Sequence, residues 1–275
     1  MISRFSLVLS LAALLAPACL AAEPPFSFDP AKVRHGTLLH YVKSNRDGSQ
    51  PWKLDVYVVG PTRIEVVKYL QGAEDMVVVE ADLDPIRGHL AHAFQHNVTA
   101  AEERASLSAA VTADGSAAQI KLGNGQGFSL PLGGPPFHFY GFDFLGIGWM
   151  LPHLKHPDRA FEVEFADPNR PSGKEGVPFV LTTARFEPAG VETLHGVPCR
   201  KYKLTGPFFE GFEGWLWANK ENGQLERVES SLRTSTDWDK DFKLELQGAE
   251  GIDDYEWEKR KAAIRAELAP VEKAP

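Results

Sequence analysis

Residues 214–232 read Gly-Trp-Leu-Trp-Ala-Asn-Lys-Glu-Asn-Gly-Gln-Leu-Glu-Arg-Val-Glu-Ser-Ser-Leu. The Asn222-Gly223 pair divides the aromatic run Trp215 to Trp217 from the segment Leu225 to Leu232. Asn-Gly accepts the positive φ angles of a tight hairpin more readily than almost any other dipeptide. Two antiparallel strands joined at this point are therefore predicted.

Outward from this hairpin the same period-2 pattern recurs, because side chains on a strand point to opposite faces at every second residue. Leu54, Val56 and Val58 alternate with Lys53 and Asp55; Ile64 and Val66 alternate with Arg63 and Glu65; Val77, Val79, Ala81 and Leu83 face away from Glu80 and Asp82. Gly60-Pro61 and Gln71-Gly72 give short connections between these three segments, and short turns imply antiparallel neighbours. Asp114-Gly115 marks a further hairpin over Leu107 to Leu122. Later, Phe161, Val163 and Phe165, then Tyr202 and Leu204, then Phe242, Leu244 and Leu246 repeat the alternation. The expected fold is mainly β, with one sheet face buried and the other wet.

Two regions break the rhythm. From Gly123 to Pro157 the chain is rich in glycine, proline and aromatic residues. From Asp253 to Leu268 acids come first and bases later, with Trp257, Ile264 and Leu268 near one face, which predicts a C-terminal helix. The expected division is a signal peptide over 1–22, an antiparallel β domain over 23–252, the helix over 253–268 and a loose tail over 269–275.

The signal reading rests on Arg4, the apolar run Phe5 to Leu15 and the small residues Ala16, Ala18, Ala21 and Ala22. That run is about half of the roughly 20 residues a spanning helix needs, so no transmembrane segment is expected in the mature chain. Cleavage after Ala22 is the main reading. Ala16-Pro17-Ala18-Cys19 resembles a lipoprotein box, but Ala16 stands where such boxes have leucine, so lipid anchoring at Cys19 is the lesser alternative. The expected location is periplasmic or secreted. After cleavage Cys199 is the one remaining cysteine, so stability must come from the core rather than from a disulfide. With a formal charge of -8 and its bases scattered, the chain is a poor match for a phosphate backbone, and nucleic acid is set aside.

The segments Gly36-x-Leu38-x-x-Tyr41, Val77 to Asp84 and Gly196-Val197-Pro198-Cys199-Arg200-Lys201-Tyr202 through Gly214-Trp215-Leu216-Trp217 to Glu229 resemble a family of exported bacterial proteins of unknown function. The sheet of that family is similar to that of the periplasmic lipoprotein carriers. The resemblance spans roughly His35 to Gly248 and implies a strongly curved antiparallel sheet, a half-barrel or open barrel. Its concave face would hold an apolar ligand or be plugged by a helix, and the partner it implies is a lipid or lipoprotein. The stretch Gly123 to Pro157 has no counterpart in the resemblance.

The aromatic set is the ligand-binding candidate: Phe137, Phe139, Tyr140, Phe142 and Trp149, then Phe208, Phe212, Trp215 and Trp217. Apolar walls with few polar groups are what small-molecule sites show, yet burying each ring in an ordinary core would contribute the same ~2–3 kcal/mol. Nearby glycines at 141, 146, 148, 211 and 214 suggest a mobile flap. His89, His92 and His96 would share one face of a helix and could then hold a metal; on a strand His89 would point away from the other two. His-Glu-x-x-His and Gly-x-Ser-x-Gly are both absent. No catalytic residue, metal or cofactor is assigned, and Cys199 reads as a small buried strand residue. The leading expectation is a non-enzymatic periplasmic protein that binds a hydrophobic ligand or lipidated partner. The alternatives are a cell-envelope scaffold using a sheet edge or the C-terminal helix, and a metal-dependent enzyme.

Overall fold

A computed structural model describes residues 25–139, 143–167, 180–209, 212–231 and 241–270. The Asn222-Gly223 hairpin forms as expected: Gly223 has φ +76°, and Leu216 lies opposite Val228 across the two strands. The loop is longer than the two-residue turn, because Asn219 N–H donates to the Gln224 carbonyl at 2.7 Å and the register shifts between Trp217 and Ala218.

Fifteen strands form one sheet among the described residues. The first arm contains β1 (Thr37–Asn45), β2 (Trp52–Gly60), β3 (Arg63–Tyr69), β4 (Asp75–Leu83), β5 (Leu90–Thr99), β6 (Glu103–Val111), β7 (Ala117–Leu122) and β8 (Gly127–Pro131). The second contains β9 (Phe137–Phe139), β10 (Phe161–Asp167), β11 (Val180–Leu194), β12 (Val197–Thr205), β13 (Gly214–Asn219), β14 (Leu225–Ser230) and β15 (Phe242–Gly251). Helix α1 (Leu145–Met150) follows β9, and helix α2 (Asp254–Ala266) follows β15. The two arms meet where β1 pairs with β15, so the first and last strands lie at the centre of the sheet and β8 and β9 are its edges. Every pairing is antiparallel except the parallel contact of β9 with β10.

This order forces curvature. Fifteen flat strands at about 4.8 Å spacing would hold the two edges roughly 65 Å apart. Residues 132–136 join those edges and reach about 20 Å at most. The sheet therefore curls towards itself while remaining open. Phe137 N–H donates to His89 Nδ1 at 2.8 Å, which ties edge strand β9 to the start of β5 in the opposite arm.

Inward-facing residues of both arms form one large core on the concave face, including Tyr41, Leu54, Val66, Val79, Leu216 and Val228. The stretch 123–157 carries β8, β9 and α1, and every residue of α1 is buried on that face. A short helix thus plugs the sheet. Ideal Cβ atoms added to Gly146 and Gly148 would stand 2.8 Å from His138 Nδ1 and 3.0 Å from Leu225 Cβ. These glycines allow α1 to approach β9 and β14 closely, in place of the flap suggested by composition; Gly141 and Gly211 lie outside the described residues.

The convex face is not uniformly wet. Over β1 to β5 it is covered by α2, whose Trp257 and Ile264, with Leu268 beyond, pack on Leu38, Tyr57, Val67, Tyr69, Met76 and Val98. A capping box starts the helix, with Glu256 N–H donating to Asp253 Oδ1 and Asp253 N–H to Glu256 Oε2. Trp257 stacks on Tyr57 at 5.2 Å and donates its indole N–H to Glu65 at 2.9 Å; Arg260 donates to buried Asp55 at 2.8 Å and Lys261 to Glu65 at 2.6 Å. The carboxylates that alternate with the apolar residues of β2 and β3 are thus seats for the helix. Trp257→Phe keeps the stacking ring but removes one hydrogen bond to a charged group, and an expected loss of about 1.5–3 kcal/mol in urea unfolding checks that bond.

Candidate functional site

The concave face is not filled throughout. There a cavity of about 320 Å³ remains between the first strands, β15, α1 and the segment before β1. Its apolar wall comes from Leu39, Val56, Val58, Ile64, Leu145 and Leu246. Strand alternation points the five strand residues inward, and Leu145 and Trp149 of α1 complete the wall. Exposed Lys32, Arg34 and Asn222 stand among the lining residues, so the cavity opens to solvent.

Polar groups in this wall are few and mostly fixed. Tyr41 donates its hydroxyl proton to the Leu225 carbonyl at 2.8 Å and receives the Gln224 amide at 2.7 Å. Burial raises the Tyr41 pKa, so the hydroxyl stays protonated. His153 Nδ1 accepts the Asp29 N–H at 3.1 Å; burial, then the charge of Lys32, lowers the His153 pKa to about 4. Its ring is therefore neutral at pH 7. Trp149 is 9% exposed, and its indole N–H has no hydrogen-bond partner.

Away from the cavity, the chain enters α1 through Asp143 (φ 51°) and Phe144 (φ 70°), two successive left-handed residues that are not glycine. Asp143 is buried between two lysines: Lys43 donates to Oδ1 at 2.5 Å and Lys68 to Oδ2 at 2.7 Å. Burial would raise the Asp143 pKa, but the attraction of both lysines outweighs it and holds the carboxyl below its ordinary range. Both cations occupy inward positions, two residues beyond Tyr41 in β1 and Val66 in β3.

At the seam between the arms, His138 of β9 is buried beside α1. Neither ring nitrogen has a hydrogen-bond partner of good geometry, although the Gly88 backbone lies close enough to act on the ring. Burial, then nearby His89, lowers the His138 pKa from 6.5 to about 3. Its folded pKa is depressed, so the unfolded chain binds the extra proton between those values and stability falls as pH drops below 6.5. From pH 6.5 to near pH 5 this group alone is expected to remove about 2 kcal/mol. His138→Leu should flatten urea stability over that range in part, the remaining slope belonging to His153 and to His89, whose pKa burial also lowers. An unchanged slope would exclude His138 as its source.

The aromatic candidates do not form one surface. Trp149 lines the cavity. Phe137, Phe139 and Phe208 are buried in the concave core, with Phe212 packed against it. There Phe208 sits among Phe144, Phe165 and Phe209 at ring distances of 6.4, 4.8 and 4.9 Å. Trp215 and Trp217 alternate with inward-facing Leu216 and Ala218 and so lie on the convex face, where Lys201 stands 4.5 and 4.9 Å from their rings. Tyr140 and Phe142 lie outside the described residues, as do the signal segment 1–22 and Cys19. Sequence reasoning missed Leu39, Val56, Val58, Ile64 and Leu246, whose inward positions in strands look like those of any core residue.

The histidines do not share a helix face. His92 and His96 lie on strand β5, with His92 exposed and His96 paired with Glu103 at 3.0 Å, whereas His89 precedes the strand and accepts from Phe137. Among the described residues no three His, Cys, Asp or Glu side chains are grouped to hold a metal ion. Cys199 is buried in β12, and burial raises its thiol pKa. No helix among the described residues is long and apolar enough to cross a membrane.

The architecture defines a class: an open, curled antiparallel sheet with a buried helix on its concave face and a second helix on its convex face. Three solved structures illustrate the likeness. One is a β-barrel-like protein of a domain of unknown function from Brucella abortus (8% identity, 80% of this chain and 100% of that chain, TM-score 0.43). Another is the Mycobacterium tuberculosis lipoprotein LppX (12% identity, 80% and 89%, TM-score 0.27). A third is a LolA superfamily protein from Nitrosomonas europaea (8% identity, 82% and 92%, TM-score 0.22). No family model and no curated protein matches the chain.

Proposed function

We propose that this protein is a non-catalytic binding protein of the cell envelope, exported by residues 1–22, that holds a hydrophobic ligand in the cavity beside α1. The supporting observation is the cavity itself: about 320 Å³ of apolar-walled space on the concave face, open to solvent. Protein interiors rarely retain such space without a use for it, since voids forfeit dispersion contacts. A binding site is lined by apolar side chains with a few placed polar groups, and Tyr41, Gln224 and Trp149 supply those.

Trp149 provides the test. The chain has six tryptophans, of which Trp149 lines the cavity. A mid-chain brominated dodecanol should quench part of the mature protein's indole fluorescence saturably, and Trp149→Phe should abolish that part while preserving binding. Quenching that is identical in the variant would place the alcohol elsewhere and reject the cavity as the site.

A further inference from the structure

Resting on the reading of the cavity as a ligand site, we propose that its ligand is a single-chain amphiphile with an anionic head, seated with its chain against Leu39, Val56 and Ile64 and its head at Lys32 and Arg34. Size limits the chain. About 320 Å³ lies at the lower end of the roughly 300–1,000 Å³ that small-molecule pockets span, which suits one alkyl chain rather than several.

The charge of the head follows from the mouth. Although the whole chain is acidic, with a formal charge of -8, two of the groups at this opening are cations. Arg34 is exposed and forms no ion pair among the described residues. Lys32 is exposed and donates one proton to the Pro152 carbonyl at 2.8 Å, which leaves two ammonium donors for another acceptor. One carboxylate, Glu226, also lines the cavity, and it receives the Asn219 amide at 3.2 Å.

A neutral group of the wall favours the same chemistry. His153 uses Nδ1 as the acceptor for Asp29 N–H, so the proton of its neutral ring sits on Nε2 and is a donor. Lys32, Arg34 and His153 thus offer donors, against one carboxylate already engaged. An oxygen-bearing anion satisfies such a set, whereas an ammonium head would meet like charge.

Three ligands with one chain separate the head from the tail: dodecanoate, dodecanol and dodecylammonium, titrated into the mature full-length protein by calorimetry. Dodecanoate is expected to bind about fivefold or more tightly than dodecanol, with dodecylammonium weakest, and added salt should narrow the gap. Combined Lys32→Gln and Arg34→Gln should remove the preference, so that dodecanoate binds no more tightly than dodecanol to the double variant; both side chains are exposed, so the fold is retained. Equal affinity for the three heads, or a preference that survives in the double variant, overturns the anionic head while the cavity stands. Absence of binding by all three overturns both readings.

Discussion

Asp143→Asn is expected to lower stability in urea unfolding by about 3–5 kcal/mol, because it leaves two buried ammonium groups without the carboxylate to which both donate. Asparagine tolerates the left-handed backbone of position 143 nearly as well as aspartate, so the substitution removes charge without adding backbone strain. The triad joins β1 and β3 to the turn that feeds α1, and its loss should loosen the plug helix first. Hydrogen exchange in 145–150 should accelerate more than in β11 or β12. Replacing all three residues together, with Lys43→Met and Lys68→Met added, should restore most of the loss, since none of the three charges of this triad then remains. A loss below about 1 kcal/mol for Asp143→Asn would contradict the buried geometry. The acid dependence has a definite sign: the folded pKa of Asp143 is depressed, so its contribution is present above its ordinary 3.8 and disappears as pH falls through the folded value.

The second large effect concerns binding. Leu39→Trp extends an indole into the cavity from β1 and is expected to weaken dodecanol binding by at least about tenfold, or 1.4 kcal/mol. Stability should hold or rise, because the added ring fills existing space instead of overpacking a full core. Phe208→Leu is the matching control from the packed aromatic cluster. It should cost up to about 1.5 kcal/mol of stability and leave the affinity of the folded protein unchanged. If Phe208→Leu weakened binding and Leu39→Trp did not, the ligand would lie among the aromatic rings.

Much of the sheet is legible in local pattern because strand alternation and turn chemistry act within a few residues. The hairpin at Asn222-Gly223, the β2 to β4 meander and the Asp114-Gly115 turn all follow from it. Helix α2 is readable from its acidic start and its apolar face. The central β1–β15 pairing is not, since it joins the first strand to the last and no short-range signal specifies it. Nor does α1 announce itself: its six residues are buried on all sides, so no amphipathic period marks them.

The site was partly hidden for a related reason. Cavity wall and core use the same inward residues, and only the three-dimensional gap distinguishes Leu39 or Val58 from their packed neighbours. Aromatic density took in Trp149, which lines the cavity, together with Trp215 and Trp217, which do not. Their parity against Leu216 and Ala218 already assigns them to the opposite face. Lys43 and Lys68 were also readable, as charges interrupting the inward register of Tyr41 and of Ile64 with Val66. Their shared partner, Asp143, lies 75 residues or more away in sequence and could be found only in the folded chain.

The most direct measurement is native mass spectrometry of the protein purified from the cells that make it, followed by organic extraction of whatever accompanies it. The predicted result is a reproducible adduct of one single-chain amphiphile per protein, displaced by added dodecanoate and absent from Leu39→Trp. A bare mass for the wild-type protein, unchanged when dodecanoate or dodecanol is added, would contradict a ligand-binding cavity.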